Sequence, residues 1–151
     1  MRRSSELSEL VSRNMPGVVS EFTGPLARML ISARDACGGD LEKFLVLLVI
    51  SLRSSIHPEF KSMTPPPGPL GTALPSFGIN VASIAASTGI PKETVRRKVD
   101  ALAETGWVVR EGGEIKPTPA GYIEISPVRD EIVKMYVGGY RAIERLLSKG
   151  S

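Results

Sequence analysis

The chain has little of what most catalytic chemistry uses. Among 151 residues there is one cysteine, Cys37, and one histidine, His57. A single cysteine excludes a disulfide framework within the chain, and one residue of each kind leaves a Cys/His zinc cluster without ligands. A Ser-His-Asp or Cys-His arrangement would have to use His57, and metal chemistry would have to rest on carboxylates. Long apolar runs are also missing. The longest spans residues 44–50, far short of the roughly 20 residues that cross a bilayer. Met1-Arg2-Arg3 is followed by Ser-Ser-Glu-Leu-Ser-Glu, without the apolar stretch of a secretory signal. No excess of one charge stands out either: 19 Lys and Arg against 16 Asp and Glu leave +3. Residues 1–78, 79–121 and 122–151 each carry +1, so no terminus is a polybasic arm. The expectation is a cytoplasmic, reduced, soluble protein that is not an enzyme and holds no metal or cofactor.

What is present is a globular balance, with 42% hydrophobic and 23% charged residues. Residues 1–16 read as a short polar helix or loose arm, capped by Ser4 or Ser5 and striped by Leu7, Leu10 and Val11, with Pro16-Gly17 as its stop. A second helix is expected over 24–36, where Leu26, Leu30 and Ala33 share one side with Met29 beside them. Gly38-Gly39 ends it and Asp40 caps the next, over 41–55. That helix is apolar almost all round, which predicts burial almost all round, as a central core element that also has surface for a second subunit. Residues 64–78 hold five prolines and three glycines. They forbid regular structure and read as a stiff connector or long surface loop. Peptide recognition by that stretch is the rarer use.

From Ile79 onward the pattern sharpens. Asn80 caps a short helix, Val81 to Thr88; Gly89 stops it; Ile90 lies inside the turn; and Pro91 suits the first position of a second helix running to about Glu104. On a wheel of 100° per residue, Val95, Val99 and Leu102 fall within about 60° of one another and form the face that packs on Ile84 and Ala85. Glu93, Arg97, Asp100 and Glu104 lie opposite, with Arg96 and Thr94 on the flanks, and this exposed face is divided along its length. Lys92, Glu93, Thr94, Arg96 and Arg97 occupy its N-terminal half, and Asp100 and Glu104 its C-terminal half. Trp107 to Arg110 reads as a strand, Glu111-Gly112-Gly113-Glu114 as a type I′ turn, and Ile115 to Pro117 as the returning strand. Two short helices joined by a tight glycine turn, then a small hairpin, describe a winged helix.

The stretch VASIAASTGIPKETVRRKVDALAETGWVVREGGEIKPTPAGY resembles the winged helix-turn-helix of bacterial transcriptional regulators, and is broadly similar to the MarR-like families. The resemblance covers residues 79–122. It implies a mainly α fold with a small β-hairpin wing, built as a winged helix-turn-helix plus N- and C-terminal helices that form a dimerisation region. The implied division is an N-terminal helical region at 1–63, the Pro/Gly-rich loop at 64–78, the winged helix at 79–122 and a C-terminal helix for dimerisation at 123–151. The motif's first helix would be 41–55, so the Pro-rich stretch would be an insertion.

The resemblance also implies site residues. Lys92, Glu93, Arg96 and Arg97 are candidates for base edges, since Arg pairs with guanine O6 and N7 and Glu accepts from cytosine N4. Thr94 and the N–H groups of the helix start suit phosphate oxygens. Arg110 and Lys116 lie on the wing, where the acidic tip of Glu111 and Glu114 would oppose phosphate. Glu93 and Arg97 are also spaced to form a solvated i,i+4 pair. Trp107 and Tyr122 read as aromatics that pack the hairpin. His57 reads as a polar helix-end residue, and Cys37 as incidental more often than as an oxidant sensor.

Ser126-Pro127 opens a last helix, with Val128, Ile132, Tyr136, Ile143 and Leu147 on one face, beside Val133, Tyr140 and Leu146. So long a stripe suggests partners in the N-terminal helices and a second subunit. Gly138-Gly139 marks a kink or a close helix crossing. A C2 dimer would space two recognition helices, each 91–104, about 34 Å apart. The functional expectation is a homodimeric transcriptional regulator that reads specific double-stranded DNA through the major groove. Such regulators commonly answer to a small-molecule effector; no residue here specifies one. The alternative is a winged helix that docks another protein and binds no DNA.

Overall fold

In a computed structural model of the chain, residues 2–62 and 76–149 are described. Most of the Pro-rich stretch 64–78 lies outside them. The described residues are mainly helical, with eight helices and one two-stranded antiparallel sheet: α1 (Arg2–Arg13), α2 (Met15–Ala36), α3 (Leu41–Ser55), α4 (Pro58–Ser62), α5 (Val81–Thr88), α6 (Lys92–Glu104), β1 (Val108–Glu111), β2 (Glu114–Pro117), α7 (Pro119–Glu124) and α8 (Ser126–Lys149). None of these helices is long and apolar enough to cross a membrane. The chain divides into two compact units, Ala33–Ser126 and Met1–Ser32 together with Pro127–Ser151.

In Ala33–Ser126 each helix starts and stops for a local reason. Asp40 Oδ1 accepts from the Lys43 backbone N–H at 2.9 Å, and Asn80 Oδ1 accepts from that of Ser83 at 2.9 Å. These side chains satisfy N–H groups that the helix itself leaves open. Gly89 ends α5 at φ 73°, a left-handed conformation that costs glycine little. The chain then turns straight into α6. Val95, Val99 and Leu102 on one side of α6 close over Ile84, Val46, Leu47 and Ile50, all buried. Burying each Leu or Ile of this kind stabilises the fold by about 1.5–3 kcal/mol. The hairpin completes that core with Val108 and Ile115. Its register pairs Val108 with Pro117 and Glu111 with Glu114. The turn between the strands has Gly112 and Gly113 both at positive φ, as a type I′ turn requires. Ile79 exchanges backbone hydrogen bonds with Ile115 at 2.8 and 3.0 Å, tying the approach to α5 onto the hairpin. Thr118 caps α7 by accepting from Gly121 N–H at 3.1 Å. It also donates to the Gly106 carbonyl at 2.6 Å. Trp107 lies partly buried against this core.

The burial of α3 corrects the expectation for 41–55. One face, with Phe44, Val46, Leu47, Ile50 and Ser54, is buried, and α3 packs on α5, α6 and β2. Leu41, Leu45, Leu48, Leu52 and Ile56 are exposed. The short elements that α3 packs on cover a single side of it, so an all-round apolar helix ends with an apolar outer stripe.

In the unit formed by the two ends of the chain, α2 begins at Met15, nine residues before the expected start at 24. Pro16 falls in its first turn, where a missing N–H is harmless. Pro25 lies inside the helix and cannot donate to the Glu21 carbonyl four residues back. That same carbonyl oxygen would lie 3.1 Å from a Cβ placed on Gly138 of α8. Gly138 therefore marks a close helix crossing, at a carbonyl released from helix duty, and α8 runs on through it unbroken. Nearby, Glu131 is only 8% exposed. Its charge is matched by Arg28 Nε at 2.9 Å and Lys134 Nζ at 2.6 Å. Those hydrogen bonds hold its carboxyl below the usual range, Lys134 contributing first. The stripe expected on α8 is split: Val128 is buried, while Val133, Tyr136, Tyr140 and Leu147 are exposed.

Candidate nucleic-acid interface

The surface of α6 that faces away from the core carries the expected residues. Lys92, Glu93, Arg96 and Arg97 are exposed, and Thr94 is half-buried. Pro91, placed by the sequence at the first helical position, is the residue just before α6, and no side chain caps this helix. Its first N–H groups and the positive end of its dipole are thus open to an anion.

The cations differ sharply in their partners. Arg96 is bonded to Glu93, three residues earlier, in place of the Glu93–Arg97 pair that the i,i+4 spacing suggests. Both partners are exposed. Such a pair is worth about 0–1 kcal/mol, so Arg96 exchanges it readily for a better acceptor. Arg110 Nη2 donates to Asp100 at 2.7 Å, and Lys116 Nζ donates to Glu111 at 2.8 Å. The hydrogen bond to Glu111 and the charge behind it hold Lys116 above its ordinary value. These two hairpin cations thus also sit in surface pairs, with Lys116 the less exposed. Lys92 and Arg97 have no ion pair or side-chain hydrogen bond among the described residues.

Lys98 belongs to a different group. Counted along the chain, it is the fourth basic residue in the seven from Lys92. In the fold its side chain is 14% exposed and its ammonium meets Asp40 at 2.7 and 2.9 Å and Glu42 at 3.2 Å. It is a strut between α6 and the start of α3, not a surface cation. No sequence signal marks this, because Asp40 lies 58 residues upstream. Burial works against both charges; hydrogen bonding outweighs it. The Asp40 carboxyl, accepting from Lys98 and the Lys43 N–H, is lowered, and Lys98 is raised. Asp40 is therefore more acidic folded than unfolded. Its contribution to stability is full above the ordinary carboxylate value of about 4 and is lost as pH falls through the lowered one. Melting followed from neutral pH to pH 3 should thus show a smaller acid loss for Asp40→Asn, which keeps the cap acceptor and removes the charge. Equal losses in variant and parent would show that the Asp40–Lys98 pair has no share in acid stability.

The single cysteine and the single histidine are each held by the fold. Cys37 is buried, and burial pushes its thiol up, away from the reactive thiolate. His57 stacks on Phe77 with ring centroids 3.6 Å apart, and its Nδ1 accepts from the Glu59 N–H at 3.3 Å.

The sequence reading missed a cavity of about 220 Å³ between α3 and α6, lined by Asp40, Lys43, Thr94, Arg97, Lys98 and Ala101. It joins residues from two helices whose adjacency only the fold establishes. No protein-family model matches the chain, and no curated protein and no solved structure matches it.

Proposed function

We propose that the Ala33–Ser126 unit is a winged helix-turn-helix that binds double-stranded DNA with sequence specificity, and that the chain acts as a transcriptional regulator of the broadly MarR-like kind. One observation carries this reading. The uncapped start of α6 presents Arg97 opposite the buried stripe Val95, Val99 and Leu102, and Lys92 and Arg96 on its flank, all three exposed to solvent. A recognition helix meets the major groove with its N-terminal residues. Arg96 and Lys92 are suited to guanine O6 and N7. On the wing, Arg110 and Lys116 face Asp100 and Glu111, and the acidic tip of Glu111 and Glu114 opposes phosphate, so the wing adds little.

The same reading includes a homodimer. In the terminal unit, α2 exposes Met15, Val19, Phe22 and Leu30, and α8 exposes Val133 and Tyr140. Apolar surface in that quantity usually marks an interface, and a two-fold pair of recognition helices reads two half-sites.

Titration of short duplexes of unrelated sequence should give measurable binding at low salt. Affinity should fall steeply as salt rises, because each phosphate contact releases counterions. Selection from a random duplex pool should then return one preferred site, bound by two chains. A folded protein that binds no duplex at low salt would sink the proposal. That outcome would favour a protein-docking module, a reading supported by the two ion-paired wing cations and the exposed leucines of α3.

A further inference from the structure

We propose that the cavity between the start of α3 and the Thr94 side of α6 seats one backbone phosphate of the duplex, and that Arg97 is a phosphate ligand, not a reader of bases. This rests on the duplex-binding reading above and extends the interface from one side of α6 to the start of α3.

The charges around the cavity are sorted before any ligand arrives. Asp40 and Glu42 both spend their negative charge on Lys98, and Asp40 additionally caps α3. That leaves Lys43 and Arg97 lining the same 220 Å³ space, with no ion pair among the described residues. Counting the lining together with Glu42, which pairs with Lys98, three cations face two carboxylates and leave a net +1. The Thr94 hydroxyl adds a neutral donor. The Lys43 ammonium, the Arg97 guanidinium fork and the Thr94 hydroxyl belong to residues that line one small space, and these groups have no side-chain acceptor among the described residues. Tetrahedral phosphate oxygen is the acceptor that suits all three.

Position along α6 supports the division of labour. At 100° per residue, Arg97 stands about 60° from Thr94 and about 100° from Arg96. Arg97 therefore leans toward α3, while Arg96 and Lys92 share the other flank. Phosphate contacts fix register and carry no sequence information, whereas base contacts specify. The two adjacent arginines thus have separable duties.

The experiment compares Lys43→Ala and Arg96→Ala with the parent protein on a panel of short duplexes of unrelated sequence and on the site selected from the random pool. Lys43→Ala should weaken every duplex about equally, by around tenfold. It should also flatten the log–log salt dependence by about one, as loss of one phosphate contact does. Arg96→Ala should lose affinity for the selected site more than for the others. The cap of α3 uses the Lys43 backbone N–H, which truncation of the side chain keeps; the side chain itself makes no ion pair among the described residues and acts on Asp40 through its charge alone. Lys43→Glu should weaken binding further. Unchanged affinity and salt slope in both Lys43 variants, with the parent protein binding normally, would overturn the cavity assignment and leave the duplex reading standing. Loss confined to the selected site would overturn it too, by making Lys43 a base contact. Failure of the parent protein to bind any duplex would overturn both.

Discussion

Replacing Arg96 and Arg97 together by alanine is expected to lower affinity for duplex DNA by about 100-fold or more. Each arginine would take with it one strong contact, worth about 1.5 kcal/mol at the low end for a guanine pairing or a charge-assisted bond to phosphate. Two such losses approach 3 kcal/mol, or about two decades in affinity. Both side chains are exposed and point away from the core, and the single bond between them and the protein is the Arg96–Glu93 surface pair. The melting temperature should therefore stay within a degree or two of the parent. Fluorescence anisotropy on a labelled duplex, beside a thermal melt, separates binding from folding. If the double variant binds as the parent does, α6 is not the DNA-reading helix.

The second large effect is on stability. Gly121→Ala is expected to destabilise the Ala33–Ser126 unit by about 3 kcal/mol, the upper part of the range for forcing a methyl into packed structure. A Cβ at Gly121 would lie 2.5 Å from the Trp107 carbonyl oxygen and 2.9 Å from its Cα. Those are backbone atoms at the junction of α6 and β1, and they cannot swing aside as a side chain can. For a unit of this size the melting temperature should drop on the order of 15 °C. Gly139→Ala is the matched control. Nothing lies within 4 Å of a Cβ there, and the residue is inside α8, so alanine should stabilise by about 0.5–1 kcal/mol through helix propensity. A Gly121→Ala protein that melts within 1 kcal/mol of the parent would mean that α7 can slide away from Trp107 at little cost.

Most of the Ala33–Ser126 unit is legible in the chain because its signals are local. The Asn80 cap, the Gly89 stop, the Gly112-Gly113 turn and the Val95, Val99, Leu102 face all act within one or two turns of themselves, and each is found where local chemistry places it. Most of the misreadings share a physical cause, a partner remote in sequence. Pro16 and Gly17 have the composition of a break, yet α2 runs through both, and through Pro25 as well. The first two fall in its opening turn. The carbonyl freed by Pro25 meets Gly138, over a hundred residues away. The outer leucines of α3 look like core until it is known how few elements cover that helix. Among the candidate site residues, the charges are legible and their partners are not. Nothing near Arg110 or Lys98 in sequence reveals that Asp100 takes one by cross-element pairing and Asp40 takes the other. Lys43 has no distinguishing context at all until α3 and α6 are side by side.

Trp107 is the one tryptophan of the chain, and it packs on the core of Ala33–Ser126. Its emission is thus a built-in reporter of the core of that unit. Far-UV ellipticity sees the helices of both units. Two optical signals from one unlabelled sample consequently measure whether the protein unfolds as a single cooperative body: superimposable curves mean one transition, and displaced curves mean two.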